Sequence, residues 1–521
     1  MMIKDFRTAM VAPAALIMIT ACASGGGTAA GPTVEPPSAA QPPFAAGSTV
    51  APAPGRAPAQ APSTPPDRSA PPPLGPVPQL RLPPMQEFTL SNGMRVLVME
   101  KHDLPIAQVN IMMNAGSINE PAGKTSLASL TADMLDEGAG SRSALELSSA
   151  FEMLGARFGV GASLHGASVS LNVPVARLPD ALNLVADVVQ RPTFPTAELD
   201  RLRKERISGL IRARDVPGSI AQTLMTKTLF DPQHPYGRIT NAEALRGISI
   251  ADVKSFYQTW WRPNNATAVV VGDITAAGAR EMLERAFGGW SRGDVQSRTI
   301  AEAPQVQGRR IYIVDKPGSA QSVLILSRIG VPRSTADYYA LEVMNTILGG
   351  SFTSRLNQNI RETHGYAYGA GSGFDYRLAA GPFTASANVQ TQSTGPALME
   401  FVKELRRIRE DVTAEEVERA KNNLALGYPA GFQTVSGIAG QLGEIVTYKL
   451  PSDYFNQYIG KVLAVTKADV DRVAQRYVDP DNIAIIVVGD RKAIEQQVRA
   501  QNLGEIRFLT IADVLGPVPA S

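Results

Sequence analysis

A chain of 521 residues exceeds what one ordinary core holds, so two or more domains are expected. With 44% hydrophobic and 19% charged residues it has apolar material for large cores, and a net charge of +2 without a long basic run argues against nucleic acid as a partner. Its single cysteine, Cys22, excludes an intramolecular disulfide.

Lys4 and Arg7 precede a short apolar run from Ala9 to Ile19, broken by Pro13. The run is too short to span a bilayer comfortably, which makes residues 1–22 an expected signal peptide. Ile19-Thr20-Ala21-Cys22 resembles the lipobox of bacterial lipoproteins, with Cys22 as the lipidated residue. An ordinary signal peptide with an incidental cysteine is the alternative. A lipid at Cys22 would tether the mature chain to a membrane, and Ala23 after it implies the outer membrane, facing the periplasm.

Residues 23–85 are expected to form a Pro/Ala-rich disordered linker. Pro32 to Pro84 holds 18 of the 39 prolines and cannot bury a core. At about 3 Å per residue in polyproline II it would reach on the order of 100 Å.

The globular part begins near Glu87. Phe88 to Val98 reads as two strands joined at Asn92-Gly93, a hairpin signal, and Ala107 to Met113 alternates as a third strand. A helix is expected from about Ser126, with Leu127, Leu130, Met134 and Leu135 at helical spacing, and another over 144–154. Strands follow near 158–162 and 167–173, then helices over 178–189 and 197–214.

An internal repeat organises the rest. Ala251-Asp252-Val253 recurs as Ala468-Asp469-Val470, Pro263-Asn264-Asn265 as Pro480-Asp481-Asn482, and Val270-Val271-Gly272-Asp273 as Val487-Val488-Gly489-Asp490. Each copy reads as a helix, a Pro-Asn turn and a buried strand ending in Gly-Asp. The expected fold is α+β: two homologous tandem domains, 86–295 and 296–521, each a mostly antiparallel sheet with helices on one face.

These halves resemble the pitrilysin/insulinase-type (inverzincin) zinc peptidases. The resemblance runs from about Gln86 to Ala500. Leu90 to Val96 is similar to the family's opening hairpin, Asn114 to Ser117 to its next strand end, and His234-Pro235-Tyr236-Gly237 to its HPYG segment. Leu348-Gly349-Gly350 with Ser354-Arg355-Leu356 is similar to its Gly-Gly helix start, and Arg361-Glu362 with Gly365 to Tyr368 to a further motif.

The helix from Ser126 resembles the one on which the family carries H-x-x-E-H, two histidine ligands one turn apart with a general-base glutamate between them. Those positions read Ser129, Ala132 and Asp133. The family's third ligand falls at Gly209 or Leu210. Only four histidines exist, His102, His165, His234 and His364, and no two are at i,i+4. The resemblance therefore implies no zinc in this chain. Asp133 reads as a polar residue lining a chamber or capping a local hydrogen bond. Glu205 and Asp215 read as a solvated face paired with Arg201, Lys204 and Arg212.

The resemblance assigns substrate binding to Arg361 and Tyr368. A guanidinium holds a peptide carbonyl and a phenol donates to an oxyanion. Pairing of Arg361 with Glu362, and a half-buried Tyr368, is the alternative. Some family members are heterodimers in which one subunit carries the zinc motif and the other the Arg/Tyr pair. The implied function is a non-catalytic subunit that joins a zinc-bearing homologue in envelope peptide proteolysis. An envelope scaffold without a protease role, and a metallopeptidase with a displaced site, are the alternatives.

Overall fold

The computed structural model describes Gly75, residues 80–296 and residues 299–519. The expected signal peptide, Cys22 and nearly all of the expected Pro-rich linker lie outside the described residues.

The first half begins with Gln86–Thr89 (β1), Arg95–Glu100 (β2) and Ile106–Met113 (β3). Gly93, at φ +88°, closes the β1–β2 turn by donating its N–H to Leu90 O. A two-stranded ribbon, Gly138–Ala139 (β4) and Arg142–Ser143 (β5), precedes Arg157–Ala162 (β6), Ala167–Pro174 (β7) and Ala266–Gly272 (β8). The second half contains Arg310–Asp315 (β9), Gln321–Ile329 (β10), Ala367–Phe374 (β11), Pro382–Gln390 (β12), Ala484–Gly489 (β13) and Glu505–Leu509 (β14). Two six-stranded sheets result, ordered β1-β2-β8-β3-β7-β6 and β11-β12-β10-β13-β9-β14. Most pairs are antiparallel, but β2–β8, β9–β13 and β9–β14 are parallel.

The repeated residues have physical roles. Asp252 and Asp469 are the N3 members of capping boxes with Ser249 and Thr466, which start helices Ile250–Trp260 and Lys467–Tyr477. Gly272 sits at φ +148°, and a Cβ there would fall 2.2 Å from Ile106 O. The chain can pass β3 at that point only with glycine.

Helices on one face of each sheet is corrected to helices on both. Helix Pro217–Leu229, from the first half, packs on β10 and β13 of the second sheet. Its Ile220, Leu224 and Met225 share a core with Ile325, Ile486 and Val488. Helix Val435–Tyr448, from the second half, packs on β3 and β8 of the first sheet, and Ile438, Leu442 and Ile445 share a core with Leu97, Met99, Val269 and Val271. Strand alternation makes this possible: Val96 and Val98 of β2 point into the first half's own core, while Leu97 and Met99 point the other way. The halves have exchanged equivalent helices.

Polar contacts secure the exchange. Ser436 Oγ donates to Gln108 Oε1 at 2.8 Å. His165 Nε2 lies 2.9 Å from Tyr236 OH, which accepts the Ala379 N–H at 3.1 Å. Burial lowers the His165 imidazole to about 4, so it stays neutral across the physiological range. Nearby, buried Arg333 donates to Tyr454 OH at 2.6 Å and stacks 3.7 Å from the Tyr338 ring centre. Burial pushes Glu342 beside it up to about 6 and also raises Glu444 of the exchanged 435–448 helix.

Candidate functional site

Two clusters hold the residues singled out from the sequence. The first lies on helix Leu127–Asp133, slightly shorter than expected. It starts under strain: Ser126, a non-glycine residue, has φ +80°. Its hydroxyl lies 2.6 Å from Thr240 Oγ1. Ala132 is fully buried in the first-half core. Ser129 and Asp133 face Arg206, which is on helix Thr196–Ala213. Arg206 Nη1 donates to Ser129 Oγ at 2.7 Å and Nη2 donates to Asp133 Oδ2 at 2.5 Å. One guanidinium thus engages both positions at which the resemblance places histidine ligands. The local hydrogen-bond reading of Asp133 is the one the geometry matches.

These donors do not fit zinc. A divalent ion at Ser129 and Asp133 would meet a fixed cation, and Leu210 is part of the apolar packing rather than a ligand. Among the described residues no three His, Cys, Asp or Glu side chains converge as a metal site requires. The four histidines have other partners. His102 Nδ1 lies 2.7 Å from Asp273, His165 contacts Tyr236, His234 Nδ1 accepts the Tyr236 N–H at 3.0 Å, and His364 stacks on Tyr366. Glu205 pairs with Arg201, as expected, whereas Asp215 pairs with Lys316 of the second half rather than with Arg212.

Beneath the helix lies Glu120, a residue the sequence reading did not single out. It is completely buried, and its Oε1 accepts the Ala128 N–H at 2.9 Å. Burial raises its carboxyl to about 7, against the lowering pull of the Ala128 and Ser126 N–H groups, Arg238 and Arg206. An unfolded glutamate titrates near 4.5, so the folded chain binds the extra proton between about pH 4.5 and 7. Stability from this group is full below that window and falls as pH rises through it, by about 3 kcal/mol in all. Glu120→Gln is expected to flatten the stability curve between pH 5 and 8 and to raise the melting temperature most at pH 8. Parallel curves for variant and parent would refute this assignment.

The second cluster is built from three local irregularities. Thr346–Gly350 and Gln358–Thr363 are π-helical, and Arg361 sits in the second of them. Gly349 and Gly350 close the first π-helical turn and a helix restarts at Arg355 behind its N-cap Ser354; a Cβ on Gly349 would lie 2.2 Å from Ser372 N of β11. Tyr368 lies in a break of the β11–β12 register between Ala367 and Ala370. The irregularities aim Arg361 at two exposed rings. Its guanidinium carbon is 4.3 Å from the Phe352 ring centre and 5.4 Å from that of Tyr368. The rings are 58% and 61% exposed, so the half-buried Tyr368 is corrected to an exposed one.

Arg361 Nη1 lies 3.2 Å from Glu362 Oε1, close enough to be an ion pair. The angle is not that of a hydrogen bond, so this buried N–H has no acceptor among the described residues. Asn357 fixes the surroundings. Its Nδ2 donates to Phe352 O at 2.7 Å, and its Oδ1 accepts the Ala370 N–H at 3.2 Å. No described hydrogen bond or ion pair joins the two clusters. Phe352 and Arg206 were not anticipated from sequence. Arg206 lies one turn before the third-ligand position, and its basic side chain on that helix was the available signal.

The scaffold is thus two tandem α+β halves, a helix with Ser129, Ala132 and Asp133 held or covered by its neighbours, and Arg361 stacked beside Tyr368. Known proteins share it. Residues 95–230 match the family model described as Insulinase (Peptidase family M16), and residues 247–424 match Peptidase M16 inactive domain. The chain is 24% identical over 422 residues to an uncharacterised zinc protease of Mycobacterium tuberculosis, covering 79% of this chain and 95% of the relative. It is 23% identical to another of Bacillus subtilis, covering 65% and 82%. Among solved structures, a peptidase M16 inactive domain from Pseudomonas fluorescens superposes with a TM-score of 0.73 at 28% identity, covering 78% of this chain and 98% of that one. A Helicobacter pylori protease shares the fold at a TM-score of 0.71 and 20% identity, covering 78% and 100%. The chain belongs to the M16 peptidase family.

Proposed function

We propose that this chain is the non-catalytic subunit of a two-subunit M16 peptidase and lends Arg361 and Tyr368 to a peptide bound at the zinc of a homologous partner. The observation that carries the reading is the partly exposed Arg361 guanidinium stacked between two exposed rings. A peptide carbonyl is a matching acceptor for the part of this guanidinium that remains open to solvent. Tyr368, exposed beside it, donates its hydroxyl to the oxygen on which charge develops as the carbonyl is attacked. The attacking water and its activation come from the partner's site.

Arg206 supports the same division of labour, since it satisfies the two positions that would otherwise hold metal. In this reading a lipid at Cys22 and the 23–85 linker hold the subunit in the cell envelope, probed by following membrane partition of Cys22→Ala.

The test uses the full-length chain copurified with a homologue that retains H-x-x-E-H. Arg361→Ala is expected to lower kcat/KM of the pair about 100-fold, and Tyr368→Phe at least about ten-fold, with assembly intact. Full activity of the double variant would overturn the shared site and favour a scaffold. Stoichiometric zinc and unaided peptide cleavage by this chain alone would overturn the non-catalytic assignment.

A further inference from the structure

The turn at 479–482 is the second copy of a repeated element, and the first copy, at 262–265, shows what such a turn needs. In the first copy Asn264 exchanges hydrogen bonds with the Gly293 backbone, and Asn265 Nδ2 donates to Trp260 O at 2.7 Å. Neutral amides complete it. In the second copy Asp479 Oδ1 accepts the Asp481 and Asn482 N–H groups, and its Oδ2 accepts from Asn482 Nδ2 at 2.7 Å. That turn too is complete from its own residues.

Four arginines nevertheless gather on the second copy. Arg309 and Arg406 both donate to Asp481 Oδ1, Arg406 at 3.4 Å. Arg328 Nη1 lies 3.3 Å from Asp479 Oδ2. Arg409 follows one turn after Arg406, at the end of helix Thr394–Arg407, and its charge acts on Arg328. It forms no ion pair among the described residues; Asp411, close by in the chain, is held by Arg355 and Arg407. Four positive charges thus face two negative ones. The Nε–H groups of Arg309, Arg328 and Arg409 have no hydrogen-bond acceptor among the described residues, and Arg328 is buried. Burial pulls the Arg328 guanidinium below its usual value; Asp479 opposes this, and the Arg409 charge adds to it. Positive charge held here without a counter-charge is costly, and an anion offsets it.

We infer that this turn binds phosphate or a phosphate monoester, seated against Arg406 and Arg409, with Arg309 and Arg328 supplying positive charge from deeper in the fold. The side chains of Arg406 and Asp481 are half-exposed, so the cluster opens to solvent. The excess of two positive charges matches a phosphate dianion, and guanidinium N–H pairs fit its oxygens. The inference is independent of the peptide-binding reading. Free phosphate and the headgroup of a lipid phosphomonoester share this chemistry.

The test is titration calorimetry on the full-length chain at fixed ionic strength. One probe is inorganic phosphate, and the other is dihexanoyl phosphatidic acid below its micelle-forming concentration. Saturable binding at one site per chain is expected. Arg409→Gln and Arg406→Gln are each expected to weaken it about ten-fold, as loss of a hydrogen bond to a charged group does. Arg262→Gln, at the first-copy turn, should leave it unchanged. If either cluster variant fails to fold, the other carries the comparison. Tighter binding of phosphate identifies the free ion as the ligand, and tighter binding of the lipid identifies the headgroup. No saturable binding of either probe, or equal binding by parent and both cluster variants, overturns the proposal.

Discussion

Gly349→Ala is expected to cost about 3 kcal/mol of stability, near the upper end for overpacking a core. The methyl group would fall 2.2 Å from Ser372 N and 2.5 Å from Ser372 Oγ. The nearest atom belongs to a strand backbone, which cannot yield as a side-chain tip can. Relief requires β11 to move off the π-helical turn. That shift would strain the bonds by which Asn345 Nδ2 donates to Ser372 O and Ser372 Oγ donates to Asn345 Oδ1. Tyr368 is on the same strand, so peptide binding should weaken along with stability. Gly427→Ala is the control: it ends helix Ala414–Gly427 with open space at its Cβ and should be neutral or mildly stabilising. A denaturant midpoint lowered equally by both variants would sink the close-approach argument.

Ile220→Ala is expected to destabilise the chain by about 3 kcal/mol and to do so across both halves at once. Ile220 is fully buried, and although it belongs to the first half it fills the core beneath the second sheet. Leu442→Ala is its counterpart, since it belongs to the second half and packs on the first sheet. Because each sheet depends on a helix from the other half, neither can melt alone. Calorimetry should give one transition for the parent and one, shifted down, for each variant. Hydrogen exchange should show lost protection in β10 and β13 for Ile220→Ala. A second transition left at the parent temperature would refute the interdependence.

What the sequence made legible was local. The Asn92-Gly93 turn, the repeated helices carrying Asp252 and Asp469 and the Gly-Asp strand ends depend on neighbours within a few residues, and each is where the repeat or turn chemistry put it. The emptied metal helix was legible for the same reason, as a fixed spacing on one helix face. The helix exchange was not, because a strand apolar on both faces does not say which half supplies the cover. Leu97 and Val98 are alike in sequence and point into different cores. Arg206 escaped notice because its partners lie 77 and 73 residues away in the chain. The π-helical turns that present Arg361 break the 3.6-residue period by which helices are recognised, so Phe352 did not stand out as its neighbour.

The hold of Arg206 on Ser129 and Asp133 bears on how such a chain can evolve. A reversion to histidine at either position would not restore a ligand pair. It would take an acceptor from Arg206 and set an imidazole against a guanidinium, a loss with no compensating metal. A zinc site here would need both histidines, the general base, the third ligand and removal of Arg206. The arginine acts as a ratchet: once in place, it makes a zinc site on this helix hard to build by single steps.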